Sequence, residues 1–234
     1  MPGDLLIITP SRGRPASIAR LLAKTHQLRR AETHVHVCVD ADDPALEDYQ
    51  KVFAQHAADG DGLSVGARLT LTGWTNKIAV KQAGEYRCLA SFGDDHVPRT
   101  PGFDRALVTA CTQDGPAVAY PWDGMREDIP EAPVVDSRIV QALGWFLNPA
   151  LDHYFVDDTL GALGRGAGCL HFLRAVAVDH VHPNMGTAAG DTTYQQSSAK
   201  IPADKGAYQA WRAGRMAADV AAVKALRESL SQPA

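Results

Sequence analysis

The sequence predicts an α/β fold in which helices flank a mostly parallel sheet. Apolar segments of strand length alternate with amphipathic segments of helical periodicity through the first hundred residues. Such alternation is typical of βαβ units, whose strands pack side by side in one sheet. The 234 residues are enough for one sizeable core. We therefore predict one α/β domain over residues 1–200 and a C-terminal helical extension over residues 201–234.

The elements of the N-terminal half are predicted from local apolar patterns. The run from Leu5 to Thr9 contains isoleucines and no polar alternation, which indicates a strand buried on both faces. Further strands are predicted over residues 34–39, 63–71 and 86–92. The intervening stretches place apolar side chains on one helical face. Helices are therefore predicted after Pro15, from Pro44 and from Thr75 to Ala83.

The second half carries weaker signals because prolines interrupt it repeatedly between residues 116 and 149. Mixed strands and long loops are predicted there. Val176 to Val181 is predicted to be a late strand, and Lys205 to Leu230 a single amphipathic helix.

Composition excludes several classes of protein. The 27 acidic and 23 basic residues give a net charge of -4, and no lysine or arginine run would track a nucleic-acid backbone. A groove-bound nucleic acid is therefore not an expected partner. The sequence has neither a signal-peptide pattern nor about 18 consecutive apolar residues, so no membrane span and a cytoplasmic location are predicted. The four cysteines lack CxxC spacing and are predicted to be reduced core residues.

A metal site is predicted beyond the strand at residues 86–92, since ligands bind at the carboxyl ends of parallel strands. Asp94, Asp95 and His96 follow that strand and offer oxygen and nitrogen ligands to Mn²⁺ or Mg²⁺. The alternative is a solvated turn. His180 and His182 share one face of an extended segment, so either could complete the site. We expect His182 to be the ligand, the alternative being two structural histidines.

Three other groups of polar residues follow strands or open helices in positions suited to a nucleotide. Arginines after the first strand could pair with a diphosphate, although surface arginines in a turn are the simpler interpretation. Aspartates after the second strand could hold a ribose or base edge, or cap the next helix. A lysine at the third helix could contact a phosphate. The candidates are Pro10, Ser11, Arg12, Arg14, Asp40, Asp42, Asn76 and Lys77, together with Asp94 of the predicted metal site.

Asp157 and Asp158 form an acidic pair that could start a helix. One carboxylate of such a pair can act as a general base toward a hydroxyl while its neighbour orients it. The alternative is ordinary capping, since aspartate is favoured at helix N-termini.

The order of these motifs resembles that of the GT-A glycosyltransferases, particularly the family-2-like enzymes of actinobacteria and their phages. The resemblance covers about residues 5–195 and implies a Rossmann-like sheet, an NDP-sugar donor of the UDP or GDP type and a glycan or other hydroxyl acceptor. It implies that Asp94 to His96 stand in for the DxD motif, here written DxH. Asp158 would be the base of an inverting enzyme, and His182 would complete the metal site.

The resemblance also places the acceptor side between Tyr120 and Pro149, where Trp122 and Asp123 are the candidate contacts. Trp122 could equally be a core residue. A sugar nucleotidyltransferase is an alternative function, disfavoured because no glycine-rich basic loop follows the first strand. The sequence also admits a metal-dependent hydrolase and a non-catalytic nucleotide- or glycan-binding module.

Overall fold

The computed structural model describes residues 3–181 and 199–231. Eight strands form one sheet in the order β3-β2-β1-β4-β7-β6-β8-β5. The strands are β1 Gly3–Ser11, β2 Thr33–Asp40, β3 Gly62–Gly66, β4 Tyr86–Ser91, β5 His96–Pro98, β6 Val118–Trp122, β7 Val134–Asp136 and β8 Leu170–His180.

Eight helices pack against this sheet in the described ranges. They are α1 Pro15–Leu28, α2 Leu46–His56, α3 Leu71–Gln82, α4 Phe103–Thr112, α5 Ser137–Leu143, α6 Val156–Ala167, α7 Ile201–Gly214 and α8 Met216–Ser231. None of the helices in these ranges is long and apolar enough to cross a membrane.

The central strand β1 separates the core into two layers. Leu5 and Ile7 pack into one apolar cluster, whereas Leu6 and Ile8 pack into the other. Side chains alternate across a strand, so a run of consecutive apolar residues fills both faces only when helices cover both. All four side chains are at most 2% exposed. The predicted doubly covered strand is confirmed.

The prediction of a mostly parallel sheet is also confirmed. β1 pairs in parallel with β2 and β4, β2 with β3, and β6 with β8. β7 is antiparallel to β4 and β6, and the short β5 is antiparallel to β8. The last pairing places His96 directly opposite His180. Because β1 runs parallel to both β2 and β4, the carboxyl ends of these three strands meet at one edge of the sheet.

Two predicted boundaries were wrong. The strand predicted to reach Leu71 ends at Gly66, and the helix predicted from Thr75 begins at Leu71. The reason is a local cap: the side-chain oxygen of Thr70 accepts a hydrogen bond from the amide of Gly73 at 3.0 Å. The apolar residues of this stretch therefore belong to a helix N-terminus and not to a strand.

The C-terminal segment also differs from its prediction. Two helices, α7 and α8, replace the single predicted one, with a break at Arg215 between them. Val223 of α8 is fully buried in the same cluster as Leu6 and Ile8. The two helices therefore pack on the core of the sheet, and the division of the chain at residue 200 stays a prediction.

The proline-rich middle of the chain contains β6, β7 and a helix, α5, for which no local pattern was recognised. β8 begins at Leu170, six residues before the predicted late strand. The four cysteines are buried and unbridged, as predicted.

Candidate active site

A cavity of about 610 Å³ opens beyond the carboxyl ends of β1, β2 and β4. One side is formed by the loop after β1 and by the segment that enters α3. The opposite side is formed by residues 152–158, which lead into α6, and by residues 126–131. Cavities at this edge are where ligands bind in open α/β sheets.

The predicted residues after β1 and β4 are connected by buried hydrogen bonds. Ser11 Oγ donates to Asp94 Oδ2 at 2.6 Å and contacts the hydroxyl of Tyr49 at 2.7 Å. The Arg14 amide donates to the same Tyr49 hydroxyl, and the Arg14 guanidinium pairs with Asp94 Oδ1 at 3.2 Å. Burial and the neighbouring Asp95 raise the pKa of Asp94 to about 6. Asp94 therefore anchors the two loops to each other.

Asp40 has a similar anchoring position at the end of β2. Its Oδ1 accepts hydrogen bonds from Trp74 Nε1 at 2.8 Å and from the Leu69 amide at 3.2 Å. Its Oδ2 accepts from Arg12 at 3.1 Å, and Arg12 also bonds the exposed Asp42 at 2.7 Å. Asp40 thus joins the loop after β1 to the entry of α3.

Acidic and imidazole side chains converge next to this network. Atoms of Asp95, His96 and His180 lie within 4.8 Å of one another, and so do atoms of Asp123, Glu131 and His180. His180 Nε2 is 3.5 Å from Asp95 Oδ2, and its Nδ1 is 2.9 Å from Glu131 Oε2. Burial lowers the pKa of His180, but the bonds to Asp95 and Glu131 outweigh it and raise the pKa to about 10.

His96 is less suited to metal binding than its sequence position indicated. Its ring stacks on His180 with centroids 4.5 Å apart, and its Nδ1 accepts a hydrogen bond from the Gly93 amide at 2.7 Å. Burial, and then His180, lower the pKa of His96 to about 4, so the ring is neutral at pH 7. A neutral ring that accepts at Nδ1 carries its proton on Nε2. While that bond persists, neither nitrogen has a lone pair for a metal.

The two carboxylates at the start of α6 both line the cavity and have different neighbours. Burial, followed by the neighbouring Glu131 and Asp158, raises the pKa of Asp157 well above the ordinary value, whereas His180 lowers it. Asp158 interacts with Arg126 and with the Tyr208 side chain. Asp157 is therefore the carboxylate on the side of His180, and Asp158 is the one on the side of Arg126 and Tyr208.

Several predicted contacts lie outside the cavity. The amide group of Asn76 bonds the backbone of Phe146 and Leu147, so it fastens α3 to that loop. The Lys77 ammonium lies over the Trp74 ring at 4.6 Å. Neither residue nor Asp42 lines the cavity.

The predicted acceptor contacts are packed into the protein beside the cavity. Trp122 packs edge-on against Phe172, and Asp123 is 3% exposed, with its Oδ1 accepting from the amides of Met125 and Arg126. Neither residue is among those that line the cavity. The predicted metal ligand His182 lies outside the described residues, whereas its neighbour His180 reaches Asp95.

Two residues of the site were missed in the sequence. Glu131 lies in an irregular segment between β6 and β7, where no periodicity marks it. Tyr49 lies in the helix predicted from Pro44 and was not a candidate, although its hydroxyl bonds the loop after β1. The sequence signal that could have identified Tyr49 is a polar hydroxyl on the otherwise apolar face of this helix.

Comparisons with known proteins find similarity in structure but none in sequence. No protein-family model matches the sequence, and no curated protein matches it in sequence. Solved structures do match: Staphylococcus aureus TarS aligns with a TM-score of 0.58 and 12% identity over 75% of this chain and 36% of that one. A mannosyltransferase from Pyrobaculum calidifontis, in complex with GDP-Man and Mn²⁺, aligns with a TM-score of 0.56 and 9% identity over 100% of this chain and 77% of that one. The fold is of the GT-A type.

A third GT-A structure has the same degree of similarity. Glucosyl-3-phosphoglycerate synthase from Mycobacterium tuberculosis, in complex with Mn²⁺, UDP-Glc and phosphoglyceric acid, aligns with a TM-score of 0.56 and 12% identity over 77% of this chain and 72% of that one. The chain spans only 36% to 62% of the length of the TarS structures. The predicted GT-A fold is therefore confirmed, while the ligands belong to those proteins.

Proposed function

We propose that this chain is a metal-dependent glycosyltransferase that moves a sugar from a nucleoside-diphosphate sugar to an acceptor hydroxyl. The observation that carries the proposal is one cavity at the carboxyl edge of a GT-A sheet, with Asp95 and His180 beside it and Asp157 and Asp158 on its wall. Fold alone does not specify a reaction. The proposal rests on this combination of groups.

The donor nucleoside is proposed to lie over the loop after β1. Pro10 and Arg12 line this side, and Asp40 holds Arg12 and Trp74 in place from below. A guanidinium is well suited to phosphate oxygens because it presents planar paired donors. Donors of the UDP or GDP type are proposed, since similar structures contain UDP-Glc and GDP-Man.

Asp95 and His180 are the residues that fit a divalent cation best. His180 donates from Nδ1 to Glu131, and its Nε2 faces Asp95 Oδ2 at 3.5 Å. Because the raised pKa of His180 leaves Nε2 protonated at pH 7, a cation binds there by displacing that proton. A carboxylate behind the distal nitrogen is the usual means of orienting a histidine ligand. A mixed oxygen and nitrogen set suits Mn²⁺ and also admits Mg²⁺. Such an ion, when bound, neutralises charge on a diphosphate leaving group.

Asp158 is proposed as the general base that accepts the proton of the acceptor hydroxyl as its oxygen attacks the anomeric carbon. A single attack of this kind inverts the anomeric configuration. Asp157, on the side of Glu131 and His180, is proposed to orient the reacting groups. Alignment of donor and acceptor in one cavity supplies much of the rate in two-substrate reactions.

The test starts with binding. Thermal unfolding is followed with UDP, GDP, CDP and dTDP sugars, each with Mn²⁺ and with a chelator, because a ligand of the native state raises the midpoint by mass action. The expected result is a shift for one base that requires metal, followed by sugar transfer with release of the nucleoside diphosphate. Pyrophosphate release from a triphosphate would identify a nucleotidyltransferase instead. No shift with any donor contradicts the proposal.

A matched pair of variants tests the metal assignment. His180→Ala removes the proposed ligand, whereas His171→Ala removes a half-buried histidine of the same strand that does not line the cavity. Only His180→Ala is expected to abolish the metal-dependent part of the shift. Equal metal dependence in both variants refutes the assignment of His180.

A further inference from the structure

The segment that leads into α6 is held by a buried carboxylate from the C-terminal helices. Asp204, in the first turn of α7, is 3% exposed. Its Oδ1 accepts a hydrogen bond from the Asp152 amide at 2.9 Å. Its Oδ2 accepts from the amides of His153 at 3.0 Å and Tyr154 at 2.8 Å. One side chain thus binds three consecutive backbone N–H groups.

The next residue in this segment, Phe155, has an unusual backbone. Its φ of 63° is the one positive value among the described non-glycine residues. A bulky residue in the left-handed region is strained and persists only where its surroundings hold it. The ring of Phe155 stacks on Tyr208 of α7 with centroids 5.5 Å apart, and Tyr208 stacks in turn on Trp211. α7 therefore holds both the amides before the turn and the ring at the turn.

This turn determines where the acidic pair stands. Asp157 and Asp158 follow Phe155 by two and three residues and occupy the first turn of α6. Phe155 has no side-chain hydrogen bond that could cap the helix. The contacts of residues 152–155 with α7 therefore set how the chain enters α6, whose later turns pack on α8 and β8.

We propose that Asp204 is a positioning residue for the reaction: by holding the amides of residues 152–154 it sets the place of the Asp157–Asp158 pair relative to the cavity. This inference rests on the proposed function. It makes α7 part of the machinery for sugar transfer, although the motifs by which the sequence resembles glycosyltransferases end at about residue 195. Misplacement of a reacting group by about 1 Å can lower a rate about 100-fold.

The variant Asp204→Asn keeps the shape of the side chain and removes its charge and one acceptor oxygen. A carboxamide presents a single oxygen, so it cannot satisfy three N–H donors. The chain offers a matched control in Asp104, a fully buried carboxylate in the first turn of α4. Asp104 accepts from the amides of Arg30 and Ala31 and from the hydroxyl of Thr33. It does not line the cavity.

Two measurements on the purified chain test the proposal. In steady-state transfer, Asp204→Asn is expected to lower kcat about 10- to 100-fold, with no change in the Kd of the nucleoside diphosphate in Mn²⁺. Asp104→Asn is expected to lose stability while keeping kcat. In hydrogen exchange, the amides of residues 152–154 should exchange faster only in Asp204→Asn, and those of residues 30 and 31 only in Asp104→Asn. An unchanged kcat in Asp204→Asn, or equal kcat losses in both variants, overturns the proposal.

A second variant covers the case in which Asp204→Asn does not fold. Tyr208→Leu removes the ring that stacks on Phe155 and leaves the carboxylate in place. It is expected to lower kcat with unchanged nucleotide binding, and an unchanged kcat contradicts the role of α7. A wild-type chain that transfers no sugar refutes the proposed function separately. Hydrogen exchange then decides the remaining point: unchanged exchange at residues 152–154 in Asp204→Asn shows that Asp204 does not hold the turn.

Discussion

The substitution Asp40→Asn tests whether the hydrogen bonds of Asp40 stabilise the end of β2 or whether Asp40 serves only to bind a ligand. The substituted side chain keeps one oxygen, which can still accept from Trp74 and Leu69, but its amino group then faces the guanidinium of Arg12. The charge-assisted bond of 3.1 Å between Arg12 and Asp40 is lost. A hydrogen bond to a charged group contributes about 1.5–3 kcal/mol. We expect the free energy of unfolding to fall by about 2 kcal/mol.

Urea denaturation followed by tryptophan fluorescence measures this loss, since Trp74 is bonded directly to Asp40. With a slope of about 2 kcal/mol per molar urea, the midpoint should fall by about 1 M. Asp42→Asn is the matched control, because it removes the other partner of the same arginine at a side chain that is 59% exposed. Its midpoint is expected to stay nearly unchanged, as exposed ion pairs contribute little.

Two outcomes would refute this reasoning. Equal midpoints for Asp40→Asn and the wild type would mean that the network adds nothing to stability. Equal losses for Asp40→Asn and Asp42→Asn would mean that burial does not distinguish the two pairs. A loss of nucleotide binding with unchanged stability would instead assign Asp40 to direct contact with the ligand.

Three further predictions concern the cavity and the loops that border it. Asp158→Asn should abolish sugar transfer and leave the Kd of the donor nearly unchanged, and a variant with wild-type kcat removes Asp158 from the role of base. His180→Ala should weaken Mn²⁺ binding in isothermal titration calorimetry at least about tenfold, as expected for loss of a ligand or its support; unchanged affinity excludes it as a ligand. Tyr49→Phe should lower the free energy of unfolding by about 1–3 kcal/mol, because it leaves the Arg14 amide without its acceptor and removes the hydroxyl that contacts Ser11 Oγ; a chemical denaturation curve that overlays the wild type contradicts that expectation.

Local patterns identified β1 to β4 and α1 to α3, but not the short β5 or α4. The run Leu5 to Thr9 lacks polar alternation, and both of its faces are covered. The boundary between β3 and α3 was misjudged because one threonine cap outweighs the apolar character of the stretch. The break at Arg215 was missed because apolar residues on both sides keep helical spacing. Periodicity identifies elements well and their ends poorly.

The site was predictable only where chemistry follows directly from a strand end. Asp94 and Asp95 follow β4, and Asp40 ends β2, so their place at the carboxyl edge could be inferred from the order of elements. The atoms that these carboxylates contact could not be inferred from the sequence. Asp94 bonds Ser11 and Arg14, and Asp40 bonds Trp74, because helices and loops distant in sequence pack against these strand ends.

The sequence by itself determined the alternation of strands and helices, the acidic residues at the carboxyl edge and the acidic pair of α6, since these depend on neighbours a few positions away. The tertiary structure decided which side chains share a site. The antiparallel register of β5 and β8 brings His180 to Asp95, an irregular loop adds Glu131, and α7 delivers Asp204 to the turn before α6. Such contacts join residues roughly 50 or more positions apart, and they form only when the whole sheet is assembled, so no local pattern records them.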